Sequence, residues 1–139
     1  MPVLTRWFIK ASLLFFVAAL LLGLGLAANA FLDLPPVFLA LGPVYFHVFL
    51  VGWVTQLIFG VVFWMFPKQS FERPRGSERL AWATFWLLNG GLILRMVAEP
   101  YQALNPGGGL DWLLAVSALA QWAAGLIFVF NTWGRVKER

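Results

Sequence analysis

The chain contains one histidine, His47, and no cysteine. Disulfides, thiolate metal sites and cysteine nucleophiles are therefore absent. No paired carboxylates, Ser-His-Asp set, phosphate-binding loop or histidine cluster occurs. Hydrolytic and group-transfer chemistry have no support, and no catalytic residue is assigned. What remains is an imidazole, a guanidinium at Arg95 and a thioether at Met96. An imidazole can bind a metal or carry a proton near neutral pH, an arginine can grip a carboxylate, and a methionine can ligate a soft metal.

The setting of these groups gives them weight. His47 lies in GPVYFHVFLVGWVTQLIFGVVFWMFPK, residues 42–68, which is apolar almost throughout. The whole chain is 61% hydrophobic and 12% charged. That is too little charge to cover a soluble domain, and the apolar residues come in blocks, so the expected solvent is membrane lipid. Four apolar stretches, 7–30, 43–66, 80–98 and 111–133, are each near the ~20 residues that a spanning helix needs. The expected fold is an all-α membrane protein, one domain over 1–139 with four transmembrane helices. Turn chemistry separates the stretches: Pro35 and Pro36 after the first, FPKQSFERPRGSER after the second, and EPYQALNPGGG after the third. The sequence LAANA at 26–30 resembles a small-residue cleavage site. Its apolar run is long for a signal peptide, so the segment reads as the first membrane helix.

Charge sorts the loops. Arg6 and Lys10 precede or open the first helix; Lys68, Arg73, Arg75 and Arg79 lie between the second and third; Arg135, Lys137 and Arg139 follow the fourth. The other two connections hold only Asp33, Glu99 and Asp111 nearby. The positive-inside rule then predicts that both termini and the middle loop are cytoplasmic. The expected location is that of a multi-pass protein of a bacterial inner membrane. Basic residues gathered at helix ends give nucleic-acid binding no support. Trp7, Trp64, Trp82, Trp86 and Trp133 fall near the basic side, as an interfacial belt would.

Depth relates His47 to Arg95. Four residues past Pro43 places His47 about 6 Å below the outer end of its helix, and five residues before Pro100 places Arg95 about 7 Å below the same surface. Two readings stay open. In one, His47 bonds a backbone carbonyl and Arg95 snorkels in a pair with Glu99, one turn away. In the other, His47 is an axial ligand to the iron of haem b, Arg95 meets a propionate, and Met96 is a weaker alternative ligand.

Helix faces add packing expectations. Gly52, Gln56 and Gly60 lie opposite His47 at 100° per residue, on a seam suited to close helix approach. His47 shares its side with Val51, Val54, Ile58 and Met65, leaving that side for a cofactor or another subunit. In the fourth helix Ala115, Ala118, Ala123, Ala124 and Gly125 form a second expected seam. Thr55, Gln56, Asn89 and Gln121 are expected to hydrogen-bond between helices. Trp53 and Trp122 sit near mid-membrane, as core residues or flanking a flat ring. A weak repeat relates Gln56-x-x-x-Gly60 to Gln121-x-x-x-Gly125.

His47, Gly52-Trp53, Phe59-Gly60 and Phe66-Pro67-Lys68 together resemble the haem-copper oxidase subunit I superfamily, nearest its C-type oxidase and nitric oxide reductase branch. RWFIKASLLFF in the first helix and ERPRGSERLAW entering the third support the resemblance. It implies that His47 matches the second-helix histidine that ligates the low-spin haem. Arg95 lies in no matching motif. The family's subunit has twelve helices in three four-helix arcs; this chain has four, and lacks the histidines of the oxygen- or nitric-oxide-reducing centre. The implied function is a haem-b-binding membrane protein, electron-transferring or structural, resembling one arc. A homo-oligomer follows, a trimer before a dimer. Cofactor-free alternatives are an accessory subunit or assembly factor of a larger respiratory complex, and a quinone or lipid pocket anchored by His47 and Arg95.

Overall fold

Four helices are long and apolar enough to cross a membrane: Val3–Ala28, Val37–Met65, Glu78–Leu104 and Asp111–Trp133. At 1.5 Å per residue they reach about 35 to 44 Å, against ~30 Å of hydrocarbon. The structure, a computed structural model, describes residues 1–136; Lys137 and Arg139, counted above with the basic end, lie outside the described residues. In chain order the elements are α1 (Val3–Ala28), α2 (Val37–Ala40), α3 (Gly42–His47), a π-helical segment (Val48–Thr55), α4 (Gln56–Met65), α5 (Glu78–Leu104) and α6 (Asp111–Trp133).

Local sequence explains most of the boundaries. Pro36 precedes α2 and Pro43 sits in the first turn of α3, where a missing N–H leaves no helical bond unmade. The Ser77 hydroxyl accepts the Leu80 N–H at the start of α5, and Glu78 occupies its first turn, where a carboxylate suits the helix dipole. Gly107 and Gly109 take φ of 79° and 77° in the turn before α6, a conformation that side chains resist.

All but the fourth span depart from the expected bounds. The first opens at Val3 rather than residue 7 and closes at Ala28 rather than residue 30, and the other two depart further. The third span does not stop at residue 98; α5 runs through Pro100 to Leu104. Proline donates no N–H, so the Met96 carbonyl loses its helical partner, a loss that packed membrane helices absorb. The second span starts at Val37, is interrupted at Leu41, and widens into the π-helical segment directly after His47. There the Gln56 N–H reaches the Val51 carbonyl, five residues back. Each residue advances less around a wider turn, so a uniform 100° projection loses phase. Val51, expected beside His47, instead packs against the core of Phe8, Phe63, Phe85 and Leu88.

α5 is the central helix. It buries Ala81, Phe85, Leu88, Gly91, Leu92 and Ala98 among others, pairs along its length with α6, and meets the second span. α1 packs along the π-helical segment and α4. The glycine seam holds: Gly52 fits between Phe15 and Leu92, and an added Cβ would lie 2.8 Å from each. At Gly60 it would lie 2.8 Å from the Phe8 Cβ. The α6 seam differs from expectation. Ser117 and Ala124 are buried, while Ala115 and Ala118 face outward and Gly125 has open space. Gly91 of α5 is the close approach there, where an added Cβ would lie 3.0 Å from the Ser117 carbonyl oxygen. Gly60 and Gly125, equivalent in the weak repeat, therefore stand in unlike surroundings.

That contrast is testable. Gly60→Ala forces a methyl onto the fixed Cβ of Phe8 and should cost about 1–3 kcal/mol. Gly125→Ala meets nothing within 4 Å, removes backbone freedom from the unfolded chain, and should be neutral or stabilising by up to about 1 kcal/mol. Thermal unfolding in one detergent, followed by circular dichroism, checks both; equal losses would contradict the packing described.

Candidate functional site

His47 is the last residue of α3, at the end of the bundle remote from the basic loops. Its Nδ1 lies 3.0 Å from the Pro43 carbonyl oxygen, one helical turn back. A carbonyl can only accept, so this bond requires the proton on Nδ1 and leaves the Nε2 lone pair without an internal claim. Such an anchored imidazole is the form in which histidine ligates metals, its second nitrogen fixing ring orientation.

Arg95 and Glu99 present themselves from α5 at the same depth. The Arg95 Nε donates to Glu99 Oε1 at 2.8 Å, and the same oxygen is 3.8 Å from His47 Nδ1. One carboxylate thus stands between the cation and the imidazole, drawing together two residues that lie 48 apart in sequence by way of a third. The side chains are partly shielded, with 12% of Glu99, 20% of Arg95 and 30% of His47 exposed. Glu99 Oε2 is buried without a hydrogen-bond partner among the described residues. Arg95 commits one of its five N–H donors to Glu99, which leaves its Nη groups for another acceptor. The expected Arg95–Glu99 pair is present, and so is the expected bond from His47 to a carbonyl.

Met96 is turned elsewhere. It packs with Phe15, Leu22 and Tyr45 around the buried Ala19, Val44 and Val48, between α1 and the second span. It also lines a small apolar cavity of about 300 Å³ with Phe38 and Leu41. Met96 lies three residues before Glu99, about 60° away around α5, so it is the packing against Ala19, Val44 and Val48 that holds the thioether away from the carboxylate. Beside His47, itself partly exposed, Phe46 and Leu50 are 61% and 52% exposed.

Other polar residues are structural. The fully buried Gln56 donates from Nε2 to Asn89 Oδ1 at 3.2 Å, as expected between helices, and Asn89 in turn donates to the Phe85 carbonyl. Gln121 bonds Ser117 within its own helix. The interhelical bond at that level is Ser117 Oγ to the Gly91 carbonyl, 2.7 Å, which no pattern singled out. Trp53 stacks on Phe16 at 4.0 Å between ring centres, while Trp122 is exposed on α6. A recess of about 520 Å³ beside Glu99 is bounded by Pro43, Gln102 and Leu114.

The residues present fit a haem in three respects: an anchored imidazole with Nε2 open, a partly shielded arginine at the same depth with donors remaining, and an apolar flank beside the ring. Glu99 weakens the fit at one point, because its charge offsets that of Arg95 where a propionate would sit. No protein-family model, curated protein or solved structure matches this chain.

Glu99 should matter to the fold as well. Glu99→Gln removes the anion that compensates a partly shielded guanidinium within the membrane, with an expected loss of about 1–2 kcal/mol. Arg95→Gln combined with it should cost less than the sum of the single changes. A double-mutant cycle on thermal unfolding in detergent measures this, and additivity would show the pair to be uncoupled.

Proposed function

We propose that this chain is a haem-b-binding integral membrane protein, electron-transferring or structural, and that it is related to subunit I of the haem-copper oxidases. The observation that carries the reading is the His47 imidazole, held through Nδ1 to the Pro43 carbonyl, its side chain 30% exposed and its Nε2 in no hydrogen bond among the described residues. His47 would supply the axial nitrogen. Arg95 would offer its Nη donors to a propionate, with Glu99 holding the guanidinium in place through Nε. Haem, when bound, would supply a one-electron couple. The motif residues from which the resemblance was drawn add support, since Gly52 and Gly60 hold the second span close to its neighbours.

On this reading the basic end faces the cytoplasm of a bacterial cell, and the chain sits in the inner membrane. One histidine per chain leaves six-coordinate iron short of a second strong ligand. A homotrimer rebuilding three four-helix arcs is the preferred assembly, with a twofold dimer sharing one haem between two His47 side chains as the alternative. A cofactor-free accessory role also has an observation in its favour. The Arg95–Glu99 pair and the His47–Pro43 bond satisfy much of the site's polarity with no ligand.

An optical spectrum of the detergent-purified protein distinguishes the two. A Soret band with sharp reduced α and β bands is expected, and His47→Ala should abolish it while membrane insertion persists. An unchanged low-spin spectrum in the variant would rule His47 out as ligand. A colourless, folded preparation from haem-replete cells would favour the accessory role. Native mass spectrometry in detergent should give three chains; two chains would favour the shared haem, and a monomer retaining low-spin haem would remove the argument for a neighbour's ligand.

A further inference from the structure

At the basic end, remote from His47, α1 and α5 leave a groove of about 550 Å³ between them. Both helices start at this end and run in the same direction, so the groove runs with them into the membrane. Arg6 and Lys10 stand on its α1 wall, Leu14 and Ile93 lie further in, and Trp7 and Trp86 border it. Val3, also on the wall, and Leu14 are eleven positions apart, about 16 Å of helix, close to half of the ~30 Å hydrocarbon thickness. The groove is therefore about one leaflet deep, with cations at its mouth and an interior that is apolar apart from Asn89.

The charge pattern selects an occupant. Arg6 and Lys10, one turn apart, are both exposed, and neither forms an ion pair among the described residues. Glu78 and Arg79 enter α5 together, so that helix adds no net charge to the mouth. A neutral quinone has no use for two cations. A second copy related by a twofold axis would bring its own Arg6 and Lys10 against a like-charged rim, and one in any other arrangement would still offer a net positive charge from its basic loops. Tryptophan prefers the headgroup level, and Trp7 and Trp86 are 52% and 64% exposed there. Basic pockets between membrane helices hold anionic lipid headgroups by the same physics.

We infer that the α1–α5 groove is a binding site for an anionic phospholipid, its headgroup phosphate held by Arg6 and Lys10 and an acyl chain lying along Leu14 and Ile93. This inference is independent of haem and goes beyond the function proposed above.

The test is a native mass-spectrometric titration of the delipidated full chain in dodecylmaltoside with dioleoylphosphatidylglycerol, dioleoylphosphatidylcholine or inorganic phosphate. One phosphatidylglycerol should bind well ahead of phosphatidylcholine, and phosphate alone should not bind. Arg6→Gln with Lys10→Gln should weaken phosphatidylglycerol about thirtyfold, the equivalent of about 2 kcal/mol for two cations at about 1 kcal/mol each. Arg6→Lys with Lys10→Arg should keep the preference, and Ile93→Trp should weaken both lipids by filling the acyl path. Equal affinity for the two lipids would overturn the site, as would phosphate binding as tightly as lipid. Loss of the preference in the charge-conserving variant would also overturn it. Both cations are exposed, so the neutral variant is expected to fold, and an unchanged circular dichroism spectrum verifies that.

Discussion

The hydrogen bond from Gln56 to Asn89 is the contact on which the arrangement of the bundle depends. In lipid, apolar side chains gain nothing by preferring one another to acyl chains, so helix position is set by close packing and by polar groups that must be satisfied. Gln56 is fully buried, and its amide reaches the helix at the centre of the molecule. A bond of this kind requires close backbones. Gly52 and Gly60, four residues to either side, provide that by admitting Phe15, Leu92 and Phe8 where a Cβ would stand. Once the second span is fixed against α5 at this level, the depth of everything above and below it follows. His47 is carried to the level of Arg95 and Glu99 by a helix whose height is determined nine residues away.

The basic end is held by a different device. Arg135 is fully buried after the end of α6 and donates from Nε and Nη2 to the Pro67 and Phe66 carbonyls, at 3.1 and 2.7 Å. It thereby covers the exposed carbonyl end of α4 with a cation, the sign that the helix dipole favours there. Burial, and next the charge of Arg75, lower its pKa from the ordinary guanidinium value, but the group remains a cation across the physiological range. Asn131 adds two bonds to the Ser77 backbone, beside Gly76 at φ 77°. The fourth span thus closes the loop between the second and third. The opposite end has Arg95, Glu99 and His47 in the equivalent role, and these contacts join α5 to α3.

Composition and charge made the number of spans and the location of the basic end legible, because lipid imposes length and hydropathy on every spanning segment. The glycine seam, the interhelical bonding of Gln56 and Asn89 (though not their pairing) and the Arg95–Glu99 pair were legible because glycine, amides and charges are conspicuous in an apolar helix. Gln121, by contrast, bonds within its own helix. The π-helical segment was not legible. VFLVGWVT carries no local signal for a wider turn, and here the packing of Phe49, Trp53 and Gly52 against α1 coincides with it. Alanine was a poor guide in α6, since in lipid an outward alanine is as comfortable as a packed one. Arg135 read as one more loop charge, because burial of a cation depends on carbonyls 68 residues away in sequence. Within the site, Glu99 was legible as a partner for Arg95 but not for His47, which depends on the approach of α3 to α5.

The position of Met96 bears on what the chain can do alone. Arg95, Met96 and Glu99 are close in sequence, but the helix sends them to different surroundings: the charged pair toward α3, the thioether into the apolar cluster around Ala19, Val44 and Val48. To bring Met96 to a metal bound at His47 would open that cluster and also rotate Arg95 and Glu99 out of register. The cost would fall on the contacts that hold α1 to the second span. On the proposed haem reading, a second strong ligand would therefore be more cheaply supplied across the exposed flank formed by Phe46 and Leu50 than from within the chain. In the proposed haem reading, the asymmetry between a satisfied interior and an open Nε2 at the rim is what connects the cofactor to assembly.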